Sequence, residues 1–475
     1  MKMQKTAYRG RIFYFRDAST FKTIPISKEI DKGFLEHSYC HFEDGVLIVD
    51  EQGKVANVGQ YADMKKHLEG SQLVDYKSCL ITPGFIDTHN HAAQSAIVAA
   101  YGEKLLEWLN NYVFPAESKY KNDTHAKNDL NFFIDLMLKN GTTTAVCYGP
   151  LFYAASNIFF EELQKRNMRF ITGNTIMDDN SPDYLKLPTK ENYDIAKKLI
   201  HKWHNKHRLS FCITPRFGLA CSEEMLEMCG SLAKEYPDAY IQTHLGENTH
   251  EITAIKQRFP WSKHYLDVYD HYGLVTDRAV FGHGIHLTEL ELEVLKAKKS
   301  ILAHCPTSNN FLGSGLFNFK RTSQYTNRIT LGTDWGAGNT MSMLRVMDDA
   351  YKVAMLSGFK LPSMLRWYLA TLGAARALHI DDKVGNFEKG KEADFTVIDP
   401  NATPILKYRN NQVDDIFELL FIIMSLADDR NIVATYIMGK PVYTNQAPVR
   451  GYYTSNLMAE SFSGSIEQAA NAEIK

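Results

Sequence analysis

Between about residue 80 and residue 334, apolar strand-like runs alternate with amphipathic helical ones. No other feature restricts the fold as much. Eight runs read as strands: Leu80 to Thr88, Thr142 to Tyr148, Arg169 to Ile176, Leu209 to Phe217, Ala239 to Leu245, Ala279 to Gly284, Ile301 to Cys305 and Ile329 to Asp334. Helical patterns lie between them, at Asp129 to Asn140, Glu191 to Asn205, Glu223 to Glu235 and Glu289 to Lys299. The first is followed by Gly141, a good helix stop. Alternation of this kind argues for a parallel sheet, and eight units argue for its closure into a barrel. Two more helices are expected after the last strand, Ser342 to Ser357 and, beyond Pro362, Met364 to His379.

Both chain ends read as β. Gly45 to Asp50 and Val55 to Gly59 flank a turn containing Gly53, and a short helix follows near Tyr61 to Leu68. Near the other end, Gly385 and Gly390 mark turns before a strand running to Asp399, and Ala434 to Tyr443 has the pattern of a hairpin. The expected fold class is α/β: a (β/α)8 TIM-like barrel over 81–382, with a small β-sandwich domain formed from residues 1–80 and 383–450. Residues 451–475 read as a tail of mostly small and polar residues.

The net charge of −2 gives no electrostatic reason to expect nucleic acid or an anionic membrane as partner. The longest greasy segment, Leu419 to Ala427, is about half a membrane span and reads as core. The first residues lead into no apolar run, so no secretory signal is expected. The seven cysteines are irregularly spaced and odd in number, which fits reduced thiols and a cytoplasmic protein rather than a disulfide framework.

Chemistry-bearing residues cluster at the ends of the expected strands. His89 and His91 close the first strand, and at spacing i, i+2 their side chains share a face. Such a pair is a weak signal alone. However, the fifth strand ends in Thr243-His244-Leu245-Gly246-Glu247, the sixth in Gly282-His283-Gly284 and the eighth in Gly332-Thr333-Asp334. Chemistry in a parallel barrel sits at this mouth. His89, His91 and His244 offer neutral nitrogens and Asp334 a carboxylate oxygen, a ligand set for one zinc or iron ion with an open position. Glu247, three residues past a ligand, reaches the site without binding and is placed to carry protons. His283 is either a further ligand or a hydrogen-bond donor to the attacking hydroxide.

These motifs resemble the amidohydrolase superfamily, and the HxxE of His244 and Glu247 resembles its mononuclear deaminase branch. No lysine stands where binuclear members carry a bridging carbamate; Arg216 is there instead. More narrowly, the chain is similar to the guanine deaminase family through PGFIDTHNHAAQ (from Pro83), LLEWLNNYVFPAE (Leu105 to Glu117), TPRFGLACS (Thr214 to Ser222), IQTHLGEN (Ile241 to Asn248), HCPTSN (His304 to Asn309) and LGTDWGAG (Leu331 to Gly338). The resemblance implies that Gln94 and Arg216 hydrogen-bond guanine, that Phe217 lies against its face, and that Trp108 and Phe114 belong to a lid. It further implies hydroxide attack on C2, with Asp334 taking the water proton and Glu247 protonating a ring nitrogen, to give xanthine and ammonia. A homodimer is also implied.

One departure stands out. Trp335 follows Asp334 where relatives carry a small or aliphatic residue, so its ring either reshapes the pocket or points into the barrel wall. Deamination of another aminated heterocycle, such as a pterin, triazine or adenosine-like compound, is the alternative activity, and a noncatalytic barrel scaffold the alternative class. His304 reads as structural, and His201, His204 and His207 as the solvated end of a lysine-rich helix.

Overall fold

The computed structural model describes residues 4–17, 37–101 and 105–445. The expected tail from 451 lies outside them. Eight parallel strands form one sheet in sequence order: Phe85–His91, Thr142–Gly149, Arg169–Ile176, Leu209–Pro215, Tyr240–Leu245, Ala279–His283, Ile301–His304 and Ile329–Leu331. The first and last strands meet through single bonds rather than a regular ladder. Thr88 Oγ1 lies 2.7 Å from Thr330 Oγ1 and donates to Leu331 O at 2.9 Å, and Asp334 N donates to His89 O at 2.8 Å. Helices such as Asp123–Lys139, Tyr153–Lys165, Thr189–Trp203 and Glu223–Glu235 cover the sheet with their apolar faces.

The chain ends build a second, seven-stranded sheet. Its order is Lys440–Thr444, Ile432–Ile437, Phe395–Ile398, Gln72–Pro83, Thr6–Phe15, Tyr39–Val49 and Val55–Gln60. Only the Thr6–Phe15 and Gln72–Pro83 pair is parallel. The expected hairpins at both ends are present in this sheet.

Two expectations need correction. The run Leu80 to Thr88 is not one strand: its first half ends Gln72–Pro83 in the small sheet, and the barrel begins at Phe85. Gly84 is the joint. Its N–H donates to Asp394 O at 3.0 Å, and a Cβ there would collide with the Thr143 side chain. Both halves are buried, so hydrophobicity alone does not reveal the break. The helix expected over Met364 to His379 is two helices, Ser363–Leu369 and Leu372–Ala377, broken at Thr371. Ala370 O accepts from Ile86 N of the first barrel strand at 2.9 Å, which takes that carbonyl out of the helical ladder. The greasy segment forms the buried face of helix Ile416–Leu426, and no helix among the described residues is long and apolar enough to cross a membrane.

A buried ion cluster ties the small sheet to the base of the barrel. Glu392 accepts from Arg169 at 2.6 and 2.8 Å and from Arg208 at 2.7 and 3.1 Å, and Arg208 also pairs with Asp394. Burial pushes the Glu392 carboxyl upward, but the hydrogen bonds and charges of Arg169 and Arg208 outweigh it and hold the pKa down to about 2. A depressed carboxylate contributes stability above its unfolded value of 4.5 and loses it as pH falls towards 2. Urea unfolding is therefore expected to lose roughly 3 kcal/mol from this group across that window. Glu392→Gln is expected to be less stable at pH 7 and to show a flatter acid limb.

Candidate metal and active centre

The residues expected at the mouth converge. His89 Nε2 lies 3.4 Å and His91 Nε2 3.1 Å from Asp334 Oδ1. His244 Nε2 lies 3.3 Å from His91 Nε2, and His283 Nε2 lies 3.9 Å from Asp334 Oδ2 and 3.5 Å from Glu247 Oε2. Donor atoms of His89, His244, His283 and Asp334 all fall within 4.8 Å of one another. His91 stands outside that mutual group, yet its direct contacts with Asp334 and His244 are the shorter ones, so five residues bound the centre.

Glycines make room for it. A Cβ on Gly282 would strike the His89 ring, and one on Gly332 would come within 2.7 Å of His89 Cβ. The glycines beside His283 and Asp334 in the sequence thus serve the histidine of the first strand. His283 and Asp334 themselves carry left-handed backbones, φ 71° and 47°, a sparsely populated region for side-chain-bearing residues that recurs at functional sites.

The donor set fits a divalent metal ion. Among the described residues, His89 Nδ1 and Nε2 and His283 Nε2 are buried with no hydrogen-bond partner, a cost of about 1–3 kcal/mol per atom that an ion relieves at the ring nitrogen carrying the lone pair. Burial pulls the His89 pKa down to about 4 and that of His244 well below the usual imidazole range, leaving the neutral form that binds metals. For Asp334, burial acts upward, but the close imidazoles of His89, His91 and His283 outweigh it and hold the carboxyl well below the usual carboxylate range. Two outer partners orient imidazoles of the cluster. His244 Nδ1 lies 2.6 Å from Arg216 O, and His283 Nδ1 lies 2.9 Å from Asn309 Oδ1.

Next to the metal-type cluster is a pocket lined by His91, Gln94, Trp108, Leu109, Arg216, Phe217, His244, Glu247, Glu251, Asp334 and Ala337. Every expected substrate residue is in that wall. Phe114 lies under Arg216, its ring 5.4 Å from the guanidinium carbon. Among the described residues, the buried Trp108 indole N–H has no hydrogen-bond partner. Burial pushes Glu247 up to about 7, with His283 opposing and Asp334 and Glu251 adding to the rise. His283 is moved up: burial lowers it, but Glu247 and Asp334 outweigh burial. Trp335 points away from the pocket. Its Nε1 donates to Ser95 Oγ at 3.1 Å, and Ala337 supplies the wall.

Four residues were not anticipated as parts of the site. Tyr148, at the end of the second strand, stacks on His91 with centroids 4.4 Å apart and sets its hydroxyl 3.1 Å from His244 Nδ1. Its strand-end position is the signal that could have found it. Asn309 lies inside the HCPTSN motif. Glu251 completes a capping box with Asn248 and accepts from Glu247 N at 2.9 Å. Glu117 accepts from Gln94 Nε2 at 3.0 Å and from Arg216 Nη1 at 2.6 Å. His304 is buried and stacked on Phe317 at 4.4 Å. His201 and His207 are exposed, whereas His204 is partly buried and accepts from Phe211 N at 3.1 Å.

Residues 80–442 match the model of the amidohydrolase family. The chain is 45% identical to a guanine deaminase of Escherichia coli over 422 residues, covering 88% of this chain and 96% of that protein. A Mus musculus guanine deaminase is 38% identical, with 84% and 92% covered. The E. coli guanine deaminase structure superposes with a TM-score of 0.88, at 42% identity, over 92% of this chain and 99% of that one. A C. acetobutylicum guanine deaminase structure with bound guanine in the active site gives 0.82 at 29% identity, covering 92% and 100%.

Gly282→Ala alters no ligand but pushes a methyl into the His89 ring. Metal per chain, measured on the purified variant, is expected to fall well below the wild-type value. Wild-type occupancy in this variant would show that His89 is not held by this packing.

Proposed function

The chain belongs to the amidohydrolase family, and from that premise we propose that it is a guanine deaminase, hydrolysing guanine to xanthine and ammonia. The observation that carries the reading is the sharing of one pocket wall by Gln94, Arg216 and Phe217 with His91, His244, Glu247 and Asp334. An apolar face, a planar cation and a proton carrier beside a metal-type cluster suit a flat aminated ring.

In this reading His89, His91, His244 and Asp334 hold one zinc ion. A divalent ion bound there lowers the pKa of a water to about 7 and so supplies hydroxide at neutral pH. The side chains do the rest. Asp334 takes the proton of the attacking water. Glu247, buried and raised towards neutrality, delivers a proton to the ring nitrogen beside C2 and then serves the departing amine. His283, raised beside the two carboxylates, donates from Nε2 to the oxygen added at C2. Arg216 and Gln94 grip the polar edge of the purine, for which guanidinium suits the O6 and N7 acceptors. Phe217 packs against the ring face, and Trp108 closes the pocket over it.

A homodimer and a cytoplasmic location complete the reading. The seven cysteines are all buried and form no disulfide among the described residues, which supports a reducing compartment. Light scattering and metal analysis on one purified batch check the dimer and the zinc.

Incubation with guanine is expected to abolish the guanine absorbance and release ammonia stoichiometrically. Metal-replete protein that leaves guanine untouched but consumes another aminated heterocycle would replace the substrate. Protein that binds no metal and turns over nothing would support the scaffold. Glu247→Gln is expected to keep its metal and lose about 10²–10⁴ in kcat. For Arg216→Ala, a raised KM for guanine is expected to dominate the loss, and unchanged guanine kinetics would reject the proposed grip.

A further inference from the structure

One buried carboxylate beside the pocket has no task in this mechanism. Glu117 sits on helix Phe114–Ser118 and is 8% exposed. Its Oε1 accepts from Gln94 Nε2 at 3.0 Å and its Oε2 from Arg216 Nη1 at 2.6 Å. Gln94 and Arg216 line the pocket, and Glu117 stands behind both.

A carboxylate paired with arginine is an acceptor only. The end of the Gln94 amide that faces it must be the NH2 group, so the amide oxygen is turned away. That oxygen lies against Gly336, where a Cβ would collide with it. Arg216 commits one N–H to Glu117 and keeps its other N–H groups as donors. The pair therefore shows substrate an acceptor on Gln94 and donors on Arg216. Neither can be reversed while Glu117 is in place.

We infer that Glu117 is a positioning residue that sets which purine edge the site accepts: a keto oxygen beside a ring N–H, as at C6 and N1 of guanine. The inference rests on the guanine reading of the pocket. A 6-amino purine reverses both groups, turning a donor towards Arg216 and a bare nitrogen towards the Gln94 oxygen. Buried polar groups are then left unpaired, the situation in which sites reject analogues by about 10⁴ or more. The Arg216 guanidinium also lies over the Phe114 ring of the same helix, so the clamp fixes position as well as polarity.

The test compares kcat/KM for guanine and 2,6-diaminopurine, which keeps the 2-amino group and changes only the C6–N1 edge. Wild type, Glu117→Gln and Glu117→Asp are measured, with metal content determined on each batch. Glutamine is isosteric but presents either an oxygen or an NH2, so Gln94 is free to turn over. The preference for guanine is expected to fall at least ~10-fold in Glu117→Gln, with the loss on guanine carried mainly by KM. Glu117→Asp keeps an acceptor-only group and is expected to hold the preference within about threefold of wild type, even where efficiency falls. An unchanged preference in Glu117→Gln at full metal content overturns the inference. So does a loss in Glu117→Asp as large as that in Glu117→Gln. If Glu117→Gln does not fold, the aspartate variant decides: retained preference supports the inference, and its loss overturns it. A wild type inert towards guanine overturns the functional reading and this inference together. An active wild type that prefers guanine less than ~10-fold overturns the inference alone.

Discussion

The centre depends on how the first and eighth barrel strands are joined. Asp87 accepts from Thr333 N at 3.0 Å, from Thr333 Oγ1 at 2.5 Å and from Asn90 Nδ2 at 2.7 Å. It is fully enclosed, and burial pushes its pKa up to about 6 against those bonds. This one carboxylate binds the strand that carries His89 and His91 to the segment that carries Asp334. A regular ladder would close the barrel equally well, but it would not place Asp334 with a left-handed backbone 3.1 Å from His91. The seam thus closes the barrel and brings the Asp334 carboxylate to the imidazoles. The glycines at 282 and 332 are its steric counterpart, since they empty the volume that the His89 ring fills.

In the proposed reading, recognition of the purine is built onto the same supports. Arg216 holds His244 through its backbone carbonyl and reaches the pocket through its guanidinium. The first strand does likewise, with His91 at its end and Gln94 in the turn that follows. Shifts in either strand would move an imidazole and a side chain of the pocket wall together. Coupling of this kind favours a site in which the distance from reacting carbon to metal centre varies little, and position to within an ångström decides rate. Glu117 joins the two arms from behind the pocket wall, so Gln94 and Arg216 form one linked group rather than two separate side chains.

Much of this was legible in the sequence because strands have period two and barrels put chemistry at one end. His89 and His91, His244, His283 and Asp334 each end a run with strand character, so their convergence needed no knowledge of side-chain packing. Glu247 followed from its distance past a ligand. The break at Gly84 did not, because one buried strand running into another leaves hydrophobicity unchanged. The break at Thr371 was also hidden: Ala370 O is drawn out of its helix by Ile86, far away in the chain. Tyr148 and Asn309 were visible as letters but not as partners, since what they touch lies on other strands.

By itself, then, the sequence determined the barrel, the metal-type residues and their common mouth, because those follow from local periodicity and turn chemistry. It also carried, through its motifs, the residues proposed to hold a purine. Only the tertiary structure decided where Trp335 goes, since donation to Ser95 rather than a place in the pocket is a question of which neighbours surround an indole. Only the structure joined Glu117 to Gln94 and Arg216. These contacts link residues 23 and 99 positions apart. Such distances are set by barrel closure and lid packing, and no local pattern in a chain encodes them.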